Sequence, residues 1–195
     1  MGNRPVLHFL LIVCLSAPIF LEHALAETKP ISSGARFPNL IFEDSSPREI
    51  QAYLGISRKN NFSFKDMSGT LFLFDVFNTY CTSCPKNVPI LNNVYSAIEN
   101  DLLLRGKIKV VGIAIGNNQN EVESFKREYK ALYPILTDFH FAAHKALGNP
   151  RVPYTIFVKR DKGKAIVMNT HQGVIESVNT IMDQVRDLLN CKKTR

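Results

Sequence analysis

The chain has 195 residues and a formal net charge of +7, with 45% hydrophobic and 21% charged residues. These proportions are those of an ordinary globular protein of one domain, and they exclude a disordered chain and a collagen-like repeat. The positive charges are spread along the sequence without a block of five, so we predict a solvated cationic surface and no binding of nucleic acid.

The first 26 residues differ from the rest of the chain. Arg4 precedes an apolar run from Pro5 to Leu21, and the small residues Ala24 and Ala26 suit a cleavage site before Glu27. We therefore predict a signal peptide cleaved after Ala26 and an exported, periplasmic protein. The alternative is an uncleaved N-terminal membrane anchor, although about 17 apolar residues only marginally span a bilayer.

An N-terminal extension is expected over residues 27–61, before a main domain over residues 62–195. It begins with a polar leader that ends at Arg36. A short helix follows, with Ser46 as its N-cap and Pro47 at its first helical position. Residues 60–70 are predicted to be a turn-rich link.

Two dense apolar runs, Leu71 to Phe77 and residues 107–116, predict strands that are buried on both faces. Asp75 is the one acid in the first run. Between the two runs, from Thr82 onward, apolar residues recur at steps of three and four and predict an amphipathic helix. Its apolar face consists of Val88, Leu91, Val94, Tyr95 and Ile98.

The second half of the chain continues the alternation of helices and strands. A charged helix over residues 120–132 precedes a short strand at 133–138 and a short helix closed by Gly148. A hairpin with its turn at residues 161–163 comes next, and residues 174–189 form the last helix. The inner face of this last helix is predicted to be Val174, Val178, Ile181, Val185 and either Leu188 or Leu189. This order predicts a mixed β-sheet with helices on both faces.

Cys81 and Cys84 lie where the first buried strand passes into a helix. A helix start presents unpaired backbone N–H groups and the positive end of the helix dipole, and both favour a thiolate. We therefore expect Cys81 to attack a disulfide and Cys84 to resolve the resulting mixed disulfide. Besides this pair, only Cys191 remains after residue 26, so the chain is not a disulfide scaffold. Cys191 is predicted to be incidental or to bridge two molecules.

Four features together resemble thioredoxin-fold proteins over residues 62–189: the strand "LFLFDVF", the "CTSCP" junction, Pro89 five residues beyond the second cysteine, and "RVPYTIFV". With its signal peptide and its long stretch before Pro153, the chain looks like the exported TlpA/ResA-like thiol-disulfide oxidoreductases. The resemblance implies a thioredoxin-like mixed β-sheet flanked by helices, with a short N-terminal extension and a central βα insertion.

The same resemblance assigns roles to individual residues. Pro89 would kink the active-site helix. Pro153 would follow a cis peptide bond, face the cysteine pair and, with Val152, shape a groove in which an extended substrate pairs with the backbone; its alternative is a turn proline before a strand. Tyr80 is a candidate substrate contact at the position where the family usually has Trp, and Ser83 stands where the family usually has Pro.

Asp75 matches the buried acid of thioredoxin. A carboxyl group in an apolar strand has a raised pKa unless it is paired or hydrated, so Asp75 could take the proton from Cys84 as that sulfur attacks. The alternative is that Asp75 only makes an internal hydrogen bond or points to an edge of the sheet.

The resemblance also implies the redox partners. The Cys81–Cys84 disulfide would be the redox centre, with no other cofactor. TlpA/ResA-like proteins are mostly reductants, for example of apocytochrome c cysteines, so we predict a reductase of protein disulfides. Its partners would be protein dithiol or disulfide substrates and a membrane thiol-disulfide electron donor.

Two other interpretations of the cysteine pair stay open. His140 and His144 could join Cys81 and Cys84 in a zinc or copper site of a metal-binding or delivery protein, because these are the residue types that tetrahedral sites use. Alternatively, the pair could form a purely structural disulfide, although so short a loop adds little stability.

Overall fold

The computed structural model describes residues 29–43, 47–57 and 61–190. The predicted signal peptide, Ser46 and Cys191 lie outside these residues. The strands and α-helices of the described chain are, in order, β1 Ile41–Glu43, α1 Arg48–Leu54, β2 Asn61–Ser63, β3 Leu71–Phe77, α2 Val88–Asn100, β4 Ile108–Ile115, α3 Gln119–Tyr129, β5 Ile135–Asp138, α4 Ala142–Ala146, β6 Tyr154–Asp161, β7 Lys164–Gln172 and α5 Val178–Asn190.

A five-stranded mixed sheet in the order β5-β4-β3-β6-β7 forms the centre of the molecule. β3 pairs in parallel with β4 and antiparallel with β6. All seven residues of β3 are buried, because both faces of the sheet are covered. The predicted mixed sheet flanked by helices is confirmed. β5 and α4 form the expected βα insertion between α3 and β6, with β5 at the edge of the sheet.

Alternate residues of β3 face two separate hydrophobic clusters. Leu71, Leu73 and Phe77 pack with α2, α3 and α5. Phe72, Phe74 and Val76 face the other side, which is covered by α1, α4 and the N-terminal extension. The extension side chains that are buried there are Phe37, Leu40, Phe42, Ile50 and Leu54.

The predicted link over residues 60–70 contains a strand and a 3-10 turn. β2 pairs antiparallel with β1, and Phe64–Asp66 form the turn that follows. The rings of Phe42 and Phe62 pack across the two strands with centroids 5.7 Å apart and their planes tilted by 31°. In α1, Pro47 is the N-cap and not the first helical residue.

The active-site helix begins later than predicted. A 3-10 turn occupies Cys84–Asn87, and α2 starts at Val88 and not at Thr82. The reason is that Pro85 and Pro89 have no N–H group to donate to the carbonyl four residues earlier. Pro89 is the second residue of α2, at the point where the 3-10 turn passes into the α-helix.

Two other helix boundaries also differ from the prediction. α3 ends at Tyr129, because Lys130 adopts the left-handed conformation with φ of 57° and its N–H donates to Lys126. α5 begins at Val178, because the Ser177 hydroxyl accepts the N–H of Thr180 at 3.2 Å. Val174 therefore precedes the helix and is 37% exposed, so its assignment to the inner face is wrong. Within the described ranges, no helix is both long and apolar enough to cross a bilayer.

Candidate active site

Cys81 and Cys84 form a disulfide with their Cα atoms 5.5 Å apart. Cys81 is partly exposed in the loop after β3, whereas Cys84 is only 1% exposed at the start of the 3-10 turn. The backbone N–H of Cys84 donates to Cys81 Sγ at 3.2 Å, and the Ser83 hydroxyl lies 3.4 Å from the same sulfur. These donors would stabilise negative charge on Cys81, which is also the sulfur that a substrate can reach.

Asp75 lies on the side of β3 that faces α2, because it alternates with Phe74 and Val76, which face the other cluster. Its side chain is 2% exposed, and burial raises the pKa of its carboxyl group from 3.8 to about 7. The Asn87 amide lies 3.5 Å from one carboxyl oxygen and lowers this pKa in part. The structure thus supplies a buried acid that can change its protonation near neutral pH.

Three buried polar residues around Asp75 were not identified from the sequence. The Asn87 side chain links Asp75 to the segment before α5, because its oxygen accepts the N–H of Ile175 at 2.9 Å. Thr155 stands directly opposite Asp75 on β6 and is fully buried. Tyr133, in the loop before β5, interacts with the Asp75 carboxyl group. Neither hydroxyl has a partner with regular hydrogen-bond geometry among the described residues.

Gly112 explains how Tyr133 reaches this position. Gly112 stands opposite Asp75 on β4, and a Cβ atom at residue 112 would lie 3.3 Å from the Tyr133 ring and 2.9 Å from Ile135. The missing side chain therefore lets the ring pack over β4. Burial and the Asp75 carboxylate raise the pKa of Tyr133 well above its ordinary value, so Tyr133 stays a hydrogen-bond donor at neutral pH.

Tyr133→Phe is expected to raise the pKa of Asp75 above about 7, because the nearby hydroxyl group lowers the pKa of this carboxyl group. The pKa can be measured by following the carboxyl carbon of Asp75 by NMR across the pH range. Tyr129→Phe is the matched control and should leave it unchanged, since Tyr129 lies at the surface near Glu128. An unchanged or lowered pKa in Tyr133→Phe would contradict a stabilising role for the hydroxyl group.

The Val152–Pro153 peptide bond is cis, as the resemblance implied. Pro153 is buried and directly precedes β6, next to the strand that leads to the cysteines. Its carbonyl accepts the N–H of Gly173 at 2.9 Å. Val152 is partly exposed and borders the same hydrophobic cluster as Cys81. The two residues therefore lie at the end of the sheet that carries the disulfide.

Tyr80 is 74% exposed, and its hydroxyl group donates to the carboxylate of Glu121 at the start of α3. This hydrogen bond raises the pKa of Tyr80 and lowers that of Glu121. Tyr80 forms one wall of an open groove of about 440 Å³, and Phe125 and Tyr129 also line it. The groove begins one residue before Cys81, so a bound polypeptide could contact Tyr80.

The two histidines of the metal hypothesis have other partners. His144 Nε2 lies 3.0 Å from the carbonyl of Pro150, and His140 is exposed with its Nε2 3.8 Å from a carboxylate oxygen of Glu43. Within residues 29–43, 47–57 and 61–190, no group of three or more His, Cys, Asp or Glu side chains is placed to hold one metal ion. The structure does not bring the histidines together with the cysteine pair.

Known proteins resemble this chain over most of its length. The thiol-disulfide oxidoreductase ResA of Bacillus subtilis is 20% identical over 177 residues, which are 91% of this chain and 89% of ResA. ResA of Geobacillus thermodenitrificans is 21% identical over 86% of both chains. No protein-family model matches the chain.

Solved structures share the fold. A thiol:disulfide interchange protein from Bacteroides sp. superposes with a TM-score of 0.59 at 16% identity, over 84% of this chain and 94% of its own. StoA from Bacillus subtilis gives a TM-score of 0.54 at 18% identity, over 76% of this chain and 98% of its own. Because the likeness spans most of each chain and includes the fold, we conclude that this chain has the thioredoxin fold and is similar to the ResA thiol-disulfide oxidoreductases.

Proposed function

We propose that this thiol-disulfide oxidoreductase acts outside the cytosol as a reductase of protein disulfides. The observation that carries the proposal is the asymmetry of the cysteine pair, in which Cys81 is accessible and Cys84 is 1% exposed. A client disulfide can meet only the first sulfur, whereas the second sulfur is held in bonding distance of the first. This asymmetry is what a two-step exchange through a mixed disulfide requires.

The reaction begins with both cysteines reduced. The Cys81 thiolate attacks one sulfur of the client disulfide, so that a mixed disulfide forms and the first client sulfur leaves as a thiolate. Cys84 then attacks Cys81 Sγ, which forms the Cys81–Cys84 disulfide and releases the second client sulfur. Two electrons pass from the cysteine pair to the client, and the client takes up two protons.

Asp75 would serve the second step. Cys84 must lose its proton to attack, and the Asp75 carboxylate, on the α2 side of β3, would accept that proton directly or through a water molecule. Because burial raises the pKa of Asp75 to about 7, both protonation states are accessible at neutral pH. Pro153, Val152 and Tyr80 would contact the extended client segment at the same end of the sheet.

The remaining parts of the proposal concern the cellular setting. A signal peptide over residues 1–26, cleaved after Ala26, would place the protein in the periplasm, where a membrane thiol-disulfide donor would return it to the reduced state. Among clients, the TlpA/ResA-like resemblance favours the cysteines of apocytochrome c.

Cys84→Ala tests this function by trapping. The reduced variant is expected to attack client disulfides through Cys81 and to stop at the mixed disulfide, because no resolving sulfur remains. The complexes can be separated on non-reducing gels and identified by mass spectrometry. Cys81→Ala is the matched control and should capture no client, since Cys84 is buried. Equal capture by both variants, or none by Cys84→Ala, would contradict the proposal.

A further inference from the structure

One end of the five-stranded sheet lies opposite the cysteine pair. β3 is seven residues long, which corresponds to about 20 Å, and Cys81 follows its far end. At the other end, where β3 begins, the N–H of Leu71 donates to the carbonyl of Lys107 at 3.1 Å. There the N–H of Arg160 also donates to the carbonyl of Thr70 at 2.8 Å. The α2–β4 loop and the β6–β7 hairpin therefore meet at this end, which we call the basic end.

A cavity of about 540 Å³ opens at the basic end. Four cations, Lys107, Lys159, Arg160 and Lys162, line it with a single acid, Asp161. Its apolar lining comes from leucines of β3 and of the last turn of α5. Lys107 and Lys162 are exposed at its mouth. A concave surface with this excess of positive charge attracts anionic groups.

An apolar tip projects beside the cavity. Leu102 and Leu103 lie in the loop between α2 and β4, and they are 83% and 73% exposed. The next residue, Leu104, is partly buried and packs against the hydrophobic cluster under α2. Leu104 therefore anchors the loop while its two neighbours point outward. Lys107, which follows in the same loop, lines the cavity. Two adjacent exposed leucines in an anchored loop form an apolar patch, and such a patch indicates a contact with another apolar surface.

We propose that the basic end docks this protein on an anionic bilayer surface. Leu102 and Leu103 would insert at the boundary between headgroups and acyl chains, and Lys107 and Lys162 would lie against anionic headgroups. This combination of a small apolar tip with flanking cations is the one that peripheral membrane proteins use. Docking in this orientation directs the Cys81 end away from the bilayer, toward clients in solution.

A bilayer fits this surface better than a protein partner does. Two leucines supply only a fraction of the roughly 800 Å² that each partner contributes to a stable protein interface. A bilayer needs no such area, because each apolar side chain partitions by itself and each cation adds its own attraction to the anionic surface.

The test is flotation with vesicles, using the chain from Glu27 onward, which keeps every residue that the structure describes. This chain is expected to float with vesicles of phosphatidylcholine and phosphatidylglycerol, and not with phosphatidylcholine alone. The double variant Lys107→Glu/Lys162→Glu should bind the mixed vesicles at least about tenfold more weakly. Leu102→Ser/Leu103→Ser should also lose about tenfold, through the apolar contribution.

Lys86→Glu/Lys145→Glu is the matched control. It makes the same change in net charge at two exposed lysines outside the basic end, in the 3-10 turn after Cys84 and in α4. If vesicle binding depends on contacts at the basic end and not on net charge alone, the vesicle affinity of this control should stay within about twofold of that of the parent chain. The proposal would be overturned if the control lost as much affinity, if either basic-end variant bound fully, or if the parent chain did not bind. A protein partner would then be the alternative ligand of the basic end.

Discussion

A chain shortened to begin at Phe62 is expected not to fold into a stable monomer. The five buried extension residues, from Phe37 to Leu54, cover the face of β3 that carries Phe72 and Phe74. Burying one large apolar side chain contributes about 1.5–3 kcal/mol, so their removal costs roughly 8–15 kcal/mol. This equals the whole free energy of unfolding of a typical domain, which is about 5–15 kcal/mol. Circular dichroism and urea unfolding of the shortened chain would measure the effect.

One cation of the sheet contacts the extension and strengthens this expectation. The Lys109 ammonium group on β4 donates to the carbonyl of Tyr53 and lies 4.3 Å from the centre of its ring. Lys109 is only 5% exposed, so loss of Tyr53 would leave a largely buried charge without these contacts.

Phe37→Ala in the full-length chain is the matched control for the truncation. Phe37 stacks on Phe74 with ring centroids 5.2 Å apart, so its loss is expected to cost about 3–5 kcal/mol while the cooperative transition remains. A shortened chain that unfolds cooperatively with the urea midpoint of the full chain would show that the thioredoxin-like part is stable without its extension.

The central strands could be predicted from the sequence because their signal is local. Leu71–Phe77 and Ile108–Ile115 are long apolar runs, and burial on both faces demands such runs. β1 and β2 could not be predicted in the same way. Each has three residues, too few to show alternation, and each is stabilised by its partner across the Phe42–Phe62 pair.

The residues of the candidate site also differ in whether the sequence alone could predict them. Cys81, Cys84 and Asp75 lie within ten residues of one another, and their spacing to the strand and the turn is visible in the sequence. Tyr133 reaches Asp75 only through the parallel pairing of β3, β4 and β5 and through the missing side chain of Gly112. No periodicity or motif marks such a contact, because it depends on register between strands that are distant in sequence.

Asp75→Asn is expected to stabilise the folded protein by about 4 kcal/mol at pH 8. Burial raises the pKa of Asp75 from 3.8 in the unfolded chain to about 7 in the folded one. Between these two values the folded state binds a proton that the unfolded state has lost, so the stability of the parent protein falls as pH rises through this window. About three pH units at 1.36 kcal/mol each give the expected difference.

The measurement is urea unfolding of both proteins at pH 4 and pH 8. The gain from Asp75→Asn should be small at pH 4, where the folded carboxyl group is neutral, and should reach its full size above pH 7. Asp101→Asn is the matched control, because Asp101 lies in the exposed loop where it accepts the N–H of Leu103. An equal gain at both pH values would show that the charge of Asp75 is not the cause.

The same substitution should separate stability from catalysis. In the parent protein, the rate at which Cys84 resolves a mixed disulfide should rise with pH through about 7, as the Asp75 carboxylate becomes available to accept the proton. In Asp75→Asn this rise near pH 7 should disappear, and the rate at pH 8 should fall by about 10²–10⁴-fold, the usual contribution of a general base. Stopped-flow measurement of client release from a preformed Cys81 mixed disulfide gives the rate directly. If Asp75→Asn is more stable than the parent protein but resolves the mixed disulfide more slowly, the buried acid is retained for proton transfer. The reason is that the charge of Asp75 opposes folding at the same pH at which the carboxylate is needed as a base.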